Sequence, residues 1–260
     1  NSEWDYADRA IGMLDAIQTI KAENYREESP LYGNIDTTSF SVSGHSTSGG
    51  GAHTAATMDP TIKSAILLNS AMAVLDSLNC PPVSNGMGDT SYYCLLEMHL
   101  DHEVPTLVFA GENEYNELIT PDDSTYGGMW AFVQYDYIPQ TTDKLYFESA
   151  NQGHSSAEFP NGDVASYALN WLKYHSSNLS NYCDSLIIEP SSTSQFFTTL
   201  DCSAETSIFD VNDDGLVDET DIYFLVVSII NEDTINIPGD VNFDDNIDIF
   251  DLIMLSDYLN

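Results

Sequence analysis

The stretch Phe40-Ser-Val-Ser-Gly44-His-Ser46-Thr-Ser48-Gly-Gly-Gly51 constrains the fold more than any other part of the chain. A short β-prone run, Phe40 to Ser43, enters a cluster of glycines and serines, and the segment Ala52 to Thr57 that leaves it reads as helix. A strand that turns into a helix at one serine needs small residues two positions either side, because a larger side chain would crowd the sheet. Gly44 satisfies this on one side. On the other, Ser48 stands where the G-x-S-x-G pattern has its second glycine, and serine is small enough. Ser46 is therefore a candidate nucleophile, set on a sharp turn above a sheet.

The rest of the first 202 residues supplies such a sheet. Apolar residues at helical spacing (Ala10, Met13, Leu14, Ile17, Ile20) predict an amphipathic helix from Trp4 to Lys21. Ile62–Leu68, Thr106–Ala110 and Leu145–Phe147 predict buried strands, and Val164–Tyr174 has a helical period. Strands alternating with helices predict a parallel α/β sheet. Two long connections, 79–103 and 112–143, read as binding loops or lids. The strand ending at Ala110 runs into Gly111-Glu112-Asn113-Glu114, and the strand ending at Phe147 runs into Gly153-His154-Ser155. Ser46, Glu114 and His154 thus follow successive strands in the order serine, acid, histidine. Glu112 is a neighbouring carboxylate, expected to point elsewhere.

Charge narrows the partners. The chain carries 42 acidic and 6 basic residues, a formal charge of −36. That field repels phosphates and excludes nucleic acid as a natural partner, while it suits divalent cations or a salty medium. No membrane span and no signal peptide are evident. The cysteines fall as two local pairs, Cys80/Cys94 and Cys183/Cys202, which predicts two disulfides and a secreted protein.

Residues 203–260 differ in character. They hold 15 acidic residues and no lysine or arginine, which predicts a domain boundary between 202 and 203. Asp210, Asn212, Asp214, Asp218 and Asp221 occupy positions 1, 3, 5, 9 and 12 of a calcium loop, with the Leu216 carbonyl at 7 and Gly215 at the turn. Thirty residues on, Asp240, Asn242, Asp244, Asp248 and Asp251 repeat the pattern, with the Asn246 carbonyl at 7 and Asp245 in place of the glycine. Each loop leads into an apolar helix. Two loops in tandem predict two bound calcium ions. This segment resembles a type I dockerin, a small all-α domain with two EF-hand-like loops. That resemblance implies a cohesin partner and attachment to a scaffold or cell surface. Glu219-Thr220 and Ile249-Phe250 at positions 10 and 11 make the two halves non-equivalent.

The motifs quoted for the first 202 residues, with Ser29–Thr37 and Ala168–Lys173, resemble the polyester hydrolase and bacterial cutinase branch of the α/β-hydrolases. The resemblance implies a serine ester hydrolase with Ser46, Glu114 and His154 as triad, the Thr47 N–H as an oxyanion donor, His45 in substrate binding, and no catalytic cofactor. It also matches Cys183/Cys202 to the family's terminal disulfide. The sequence departs from the family at Thr47 (usually Met), at Glu114 (usually Asp), and at Asn69–Met72, where no aromatic clamp is evident. With 45 residues before Ser46, only the C-terminal half of the hydrolase sheet is expected, the N-terminal strands being missing. The function expected is polyester or cutin-type ester hydrolysis. The alternatives are a carbohydrate (acetyl or feruloyl) esterase, and a non-catalytic calcium-dependent assembly protein with a remnant hydrolase domain.

Overall fold

The computed structural model describes residues 6–84, 90–114, 131–202, 209–212, 216–231, 239–241 and 246–259. In chain order the elements are α1 (Tyr6–Glu23), β1 (Ser41–His45), α2 (Thr47–Met58), β2 (Ser64–Leu68), β3 (Val74–Leu75), β4 (Val83–Ser84), β5 (Thr90–Ser91), β6 (Tyr93–Cys94), β7 (Thr106–Gly111), α3 (Ala131–Tyr137), β8 (Lys144–Ser149), α4 (Gly162–Ser177), α5 (Cys183–Leu186), β9 (Thr193–Thr198), α6 (Glu219–Asn231) and α7 (Ile249–Tyr258). They fall into two compact units, residues 1–178 with 185–200, and residues 179–184 with 201–260.

The first unit is built on a sheet in the order β1-β2-β7-β8-β9. The first four strands run parallel. β7 and β8 are buried along their whole length, as expected for strands covered on both faces. Alternation sorts the two faces. Val42, Ala65, Leu67, Val108, Ala110 and Tyr146 pack with Ala10 and Ile17 of α1, Ala52, Ala55 and Ala56 of α2, and Ala131 and Tyr135 of α3. On the other side Phe147 meets Tyr167 of α4 edge-on, at a ring separation of 5.2 Å. The serine contacts of Ser41 with Ser64 and Ser176 tie α4 to the first two strands.

Three elements depart from the expectations. In α1, Ile20 is exposed although it continues the apolar series. At about 100° per residue it lies roughly 80° round the helix from Ala10, whereas Ile17 lies within about 20°. α2 begins at Thr47, five residues before the expected start, so the three glycines are helical. β9 was not anticipated and makes the sheet mixed, because it pairs antiparallel with β8. Its Phe196 packs on Phe147 and Tyr167 while Phe197, still 44% exposed, stacks on Tyr146, so a Ser/Thr-rich strand places an aromatic contact on each face.

Both predicted disulfides are formed, Cys80–Cys94 and Cys183–Cys202. The first closes the segment after β2, which folds as two small antiparallel ribbons, β3 with β6 and β4 with β5. Among the described residues no helix is long and apolar enough to cross a membrane.

The second unit has its own core of Phe209, Val211, Leu225, Val241 and Leu255, lined by Val217, Ile222, Ile229, Ile247, Leu252 and Leu259. Val211/Val241, Val217/Ile247, Ile222/Leu252, Leu225/Leu255 and Ile229/Leu259 are each 30 residues apart. The repeat seen in the acidic positions therefore also sets the core. Gly239, the counterpart of Phe209, lies beneath Leu225 and Ile247.

Candidate active site

The site is assembled where β1, β7 and β8 end. Ser46 sits between β1 and α2 with φ 57° and ψ −124°, outside the regions that non-glycine residues favour. Its backbone is held on both sides, since Ser46 N donates to Leu68 O at 2.9 Å and Ser46 O accepts from Ala71 N at 3.2 Å. The turn depends on Gly44, where a Cβ would come within 2.2 Å of Ser48 O. Position 48 tolerates a side chain because it faces α1, where Arg9 Nη1 donates to Ser48 Oγ at 3.2 Å. The helix beginning at Thr47 points its N-terminus at the serine, which places the Thr47 N–H where negative charge is favoured.

Ser46, His154 and Glu114 are brought together. His154 Nε2 lies 2.9 Å from Ser46 Oγ, and His154 Nδ1 is bonded to Glu114 Oε1. The Glu114 side chain is fully buried, and that of His154 is 35% exposed. Glu114 Oε2 accepts from Gly111 N at 3.0 Å and from Asn69 Nδ2 at 2.9 Å. The hydrogen bond with Glu114 holds the His154 pKa above its ordinary value; burial opposes this, and the charges of Glu114 and Glu158 add to it. Glu112 takes no part, since its carboxylate accepts from Asn151 N at 2.6 Å.

His45 has a contact that its assignment to substrate binding did not foresee. Its Nε2 donates to the His154 carbonyl at 2.9 Å, which braces the histidine loop from β1. Behind the elbow a buried network joins α2 to α3. His53 Nδ1 donates to Gln134 Oε1, Ser70 Oγ donates to the same oxygen, and His53 Nε2 meets His102 Nε2 at 3.0 Å. Neither Asn69 nor this network was singled out from the sequence. The available signal was a polar Asn-Ser pair directly after an apolar strand.

In the second unit, Asp221 is fully buried and accepts from Asn212 N and Asp218 N. Asp251 is fully buried too and accepts from Val241 N and Asp248 N. Asp210 is buried, and the described positions of both loops offer only oxygen ligands, a donor set that fits a hard cation such as calcium. Asp214, Asn242 and Asp244 lie outside the described residues. Among the described residues no group of three or more His, Cys, Asp or Glu is gathered as a metal site.

The sequence matches the PET hydrolase-like family over residues 1–75, which include Ser46. It is 26% identical to Cutinase est2 of Thermobifida alba over 145 residues, 56% of this chain and 38% of that protein. It is 31% identical to a bis(hydroxyethyl) terephthalate hydrolase of Streptomyces coelicolor over 145 residues, 56% of this chain and 37% of that one. The chain spans less than two-fifths of the length of these curated relatives. The similarities, with a mainly parallel α/β sheet, support a polyester hydrolase type of α/β-hydrolase.

Proposed function

We propose that the first unit is a serine hydrolase of carboxylic esters, with aromatic or cutin-type polyesters as its substrate class. The hydrogen-bonded path Glu114–His154–Ser46 carries this reading. It also favours catalysis over a remnant domain. Ser46 Oγ attacks the ester carbonyl and its proton passes to His154 Nε2, while Glu114 holds Nδ1–H and stabilises the imidazolium. The oxyanion is met by the Thr47 N–H. Collapse expels the alcohol, which takes the proton from Nε2. Water then attacks the acyl-enzyme, gives its proton to Nε2, and the acid leaves as Ser46 regains its hydrogen.

The second unit, in this reading, holds two calcium ions, one on Asp210, Asn212, Asp214, Asp218, Asp221 and the Leu216 carbonyl, the other on Asp240, Asn242, Asp244, Asp248, Asp251 and the Asn246 carbonyl. Calcium there neutralises carboxylates and fixes the loops for docking on a cohesin-type partner outside the cell. The 30-residue repeat of both core and acidic positions supports this.

The test is hydrolysis of p-nitrophenyl butyrate and bis(hydroxyethyl) terephthalate by the chain and by Ser46→Ala. Turnover lost by about 10³-fold or more in the variant is expected. Wild-type turnover no greater than that of Ser46→Ala would overturn the reading, and a preference for acetylated or feruloylated polysaccharide would move the substrate to plant-wall esters.

A further inference from the structure

Asn69 directly follows β2, at the point where the nucleophile, acid and histidine loops meet. It is fully buried and has φ 46°, a left-handed conformation that asparagine tolerates better than most residues with a side chain. Its amide is fully engaged. Nδ2 donates to Glu114 Oε2 and to Ser156 Oγ, both at 2.9 Å, and Oδ1 accepts from Ala157 N at 2.8 Å. Ser156 and Ala157 belong to the loop that carries His154. The flanking residues Leu68 and Ala71 hold the backbone of Ser46. One four-residue turn therefore touches the nucleophile's backbone, the acid's carboxylate and the histidine's loop.

The chemistry of Glu114 makes that contact matter. Glutamate has one more side-chain torsion than aspartate, so its carboxylate needs more fixing. Oε1 is given to His154. On Oε2, the donor Gly111 N lies three residues earlier in Glu114's own turn, so it sets the carboxylate only relative to that turn. Asn69 is the donor on Oε2 that also bonds the histidine loop. We propose that Asn69 is a positioning residue of the triad, fixing Glu114 against the His154 loop so that Nδ1–H stays on Glu114 and Nε2 stays on Ser46. This assignment rests on the serine-hydrolase reading above.

Two variants test it. Asn69→Gly removes the amide but accepts the positive φ without strain. Asn69→Asp keeps the shape and the acceptor for Ala157 N, but sets a second carboxyl group against Glu114 in place of the neutral amide, so that the two compete for one proton. Both should fold, as read by circular dichroism. In both, kcat on p-nitrophenyl butyrate should fall about 10- to 100-fold with KM within about twofold, as for a misplaced catalytic group. In Asn69→Gly the His154 midpoint, followed by imidazole NMR, should drop towards the ordinary value of about 6.5. A folded variant with wild-type kcat and an unmoved His154 midpoint would overturn the proposal. The NMR titration needs no turnover. A wild-type protein without esterase activity would therefore defeat the functional reading while the titration still decides the coupling. Should neither variant fold, the wild-type protein decides. The Asn69 side-chain amide resonances should shift with the His154 midpoint, and resonances that stay fixed through that titration would overturn the assignment.

Discussion

Nε2 of His154 stands 2.9 Å from Oγ of Ser46. Because Nδ1 faces an acceptor, Glu114, the neutral ring carries its hydrogen there and leaves Nε2 as the base. Two groups that move one proton act as a unit. Ser46→Ala and His154→Ala should each reduce kcat/KM on a short p-nitrophenyl ester by about 10³-fold or more, and the double variant should be no worse than either single one. Multiplicative losses would show that the two act separately.

The same pair sets a pH dependence. The base must be neutral, and Glu114 holds the His154 pKa above its ordinary value of about 6.5. Activity should therefore fall with acid from a midpoint above that value. Glu114→Gln removes the negative charge and, with its oxygen kept by Gly111 N and Asn69 Nδ2, turns an amide NH2 towards Nδ1, so the midpoint should move down and kcat should drop, by up to about 10⁴-fold if the tautomer is lost as in serine proteases. A pH–kcat/KM profile on both proteins checks this; a midpoint unmoved by Glu114→Gln would discount the ion pair.

Gly50 packs α2 against the turn that follows β2. A Cβ there would lie 2.2 Å from Ala71 O, a backbone atom, and 2.6 Å from the Tyr6 ring. Ala71 N is bonded to Ser46 O, so any shift reaches the nucleophile. Gly50→Ala should destabilise the first unit by about 1–3 kcal/mol, as overpacking does, and should lower kcat more than Gly12→Ala, where the added Cβ meets open space. Urea unfolding and ester turnover on the two variants give the comparison.

What was legible in the sequence follows from how local the signals are. The elbow, the acid and the histidine could be read because each is a short polar or glycine run following an apolar strand. The start of α2 was misplaced because three glycines argue against helix by propensity. They are tolerated because the tertiary fold needs close backbone approach at Gly50, which no local pattern reveals. β9 escaped because a strand of threonine, serine and glutamine lacks an apolar run; Phe196 and Phe197 find their rings only across the sheet. Asn69 escaped for the same reason, as its partners lie 45 and 87 or 88 residues away.

Acid should weaken the first unit before its carboxylates titrate. Burial lowers the pKa of His53 to about 3 and that of His102 to about 4, and it lowers His175 to about 3. His102, in turn, disfavours charge on His53, while Asp101 opposes the fall at His102. The unfolded chain takes up these protons near pH 6.5 and the folded chain does not, so their contribution is complete above about 6.5 and declines as pH falls towards 4 and 3. Each histidine gives at most about 1.4 kcal/mol per pH unit in that window. His154, with its raised value, acts in the opposite sense. Three against one predicts lower stability at pH 5.5 than at pH 7. All three tryptophans precede residue 202, so tryptophan fluorescence in urea follows this unit. Equal midpoints at the two pH values would count against the buried neutral histidines.

Calcium should control the second unit alone. Residues 203–260 hold 15 carboxylate side chains and no lysine or arginine. Asp221 and Asp251 are fully buried, where unneutralised charge is costly. Among the described residues, the core that opposes this repulsion has five buried side chains, with neighbours mainly on α6 and α7. In domains of this size, metal binding energy is folding energy. Excess chelator added to the whole chain should abolish the helical circular dichroism contributed by α6 and α7 while tryptophan fluorescence stays native, and calcium should restore it. Removal should be stepwise. By sequence, the sixth position of a calcium loop, where such a loop turns sharply, is Gly215 in the first loop and Asp245 in the second, and a Cβ makes that turn costlier. The second ion should therefore leave at the lower chelator concentration, and Asp245→Gly should bring the two steps together. A helical signal indifferent to chelator would remove calcium from the folding of this unit; tighter binding at the second loop would refute the strain argument while leaving two sites.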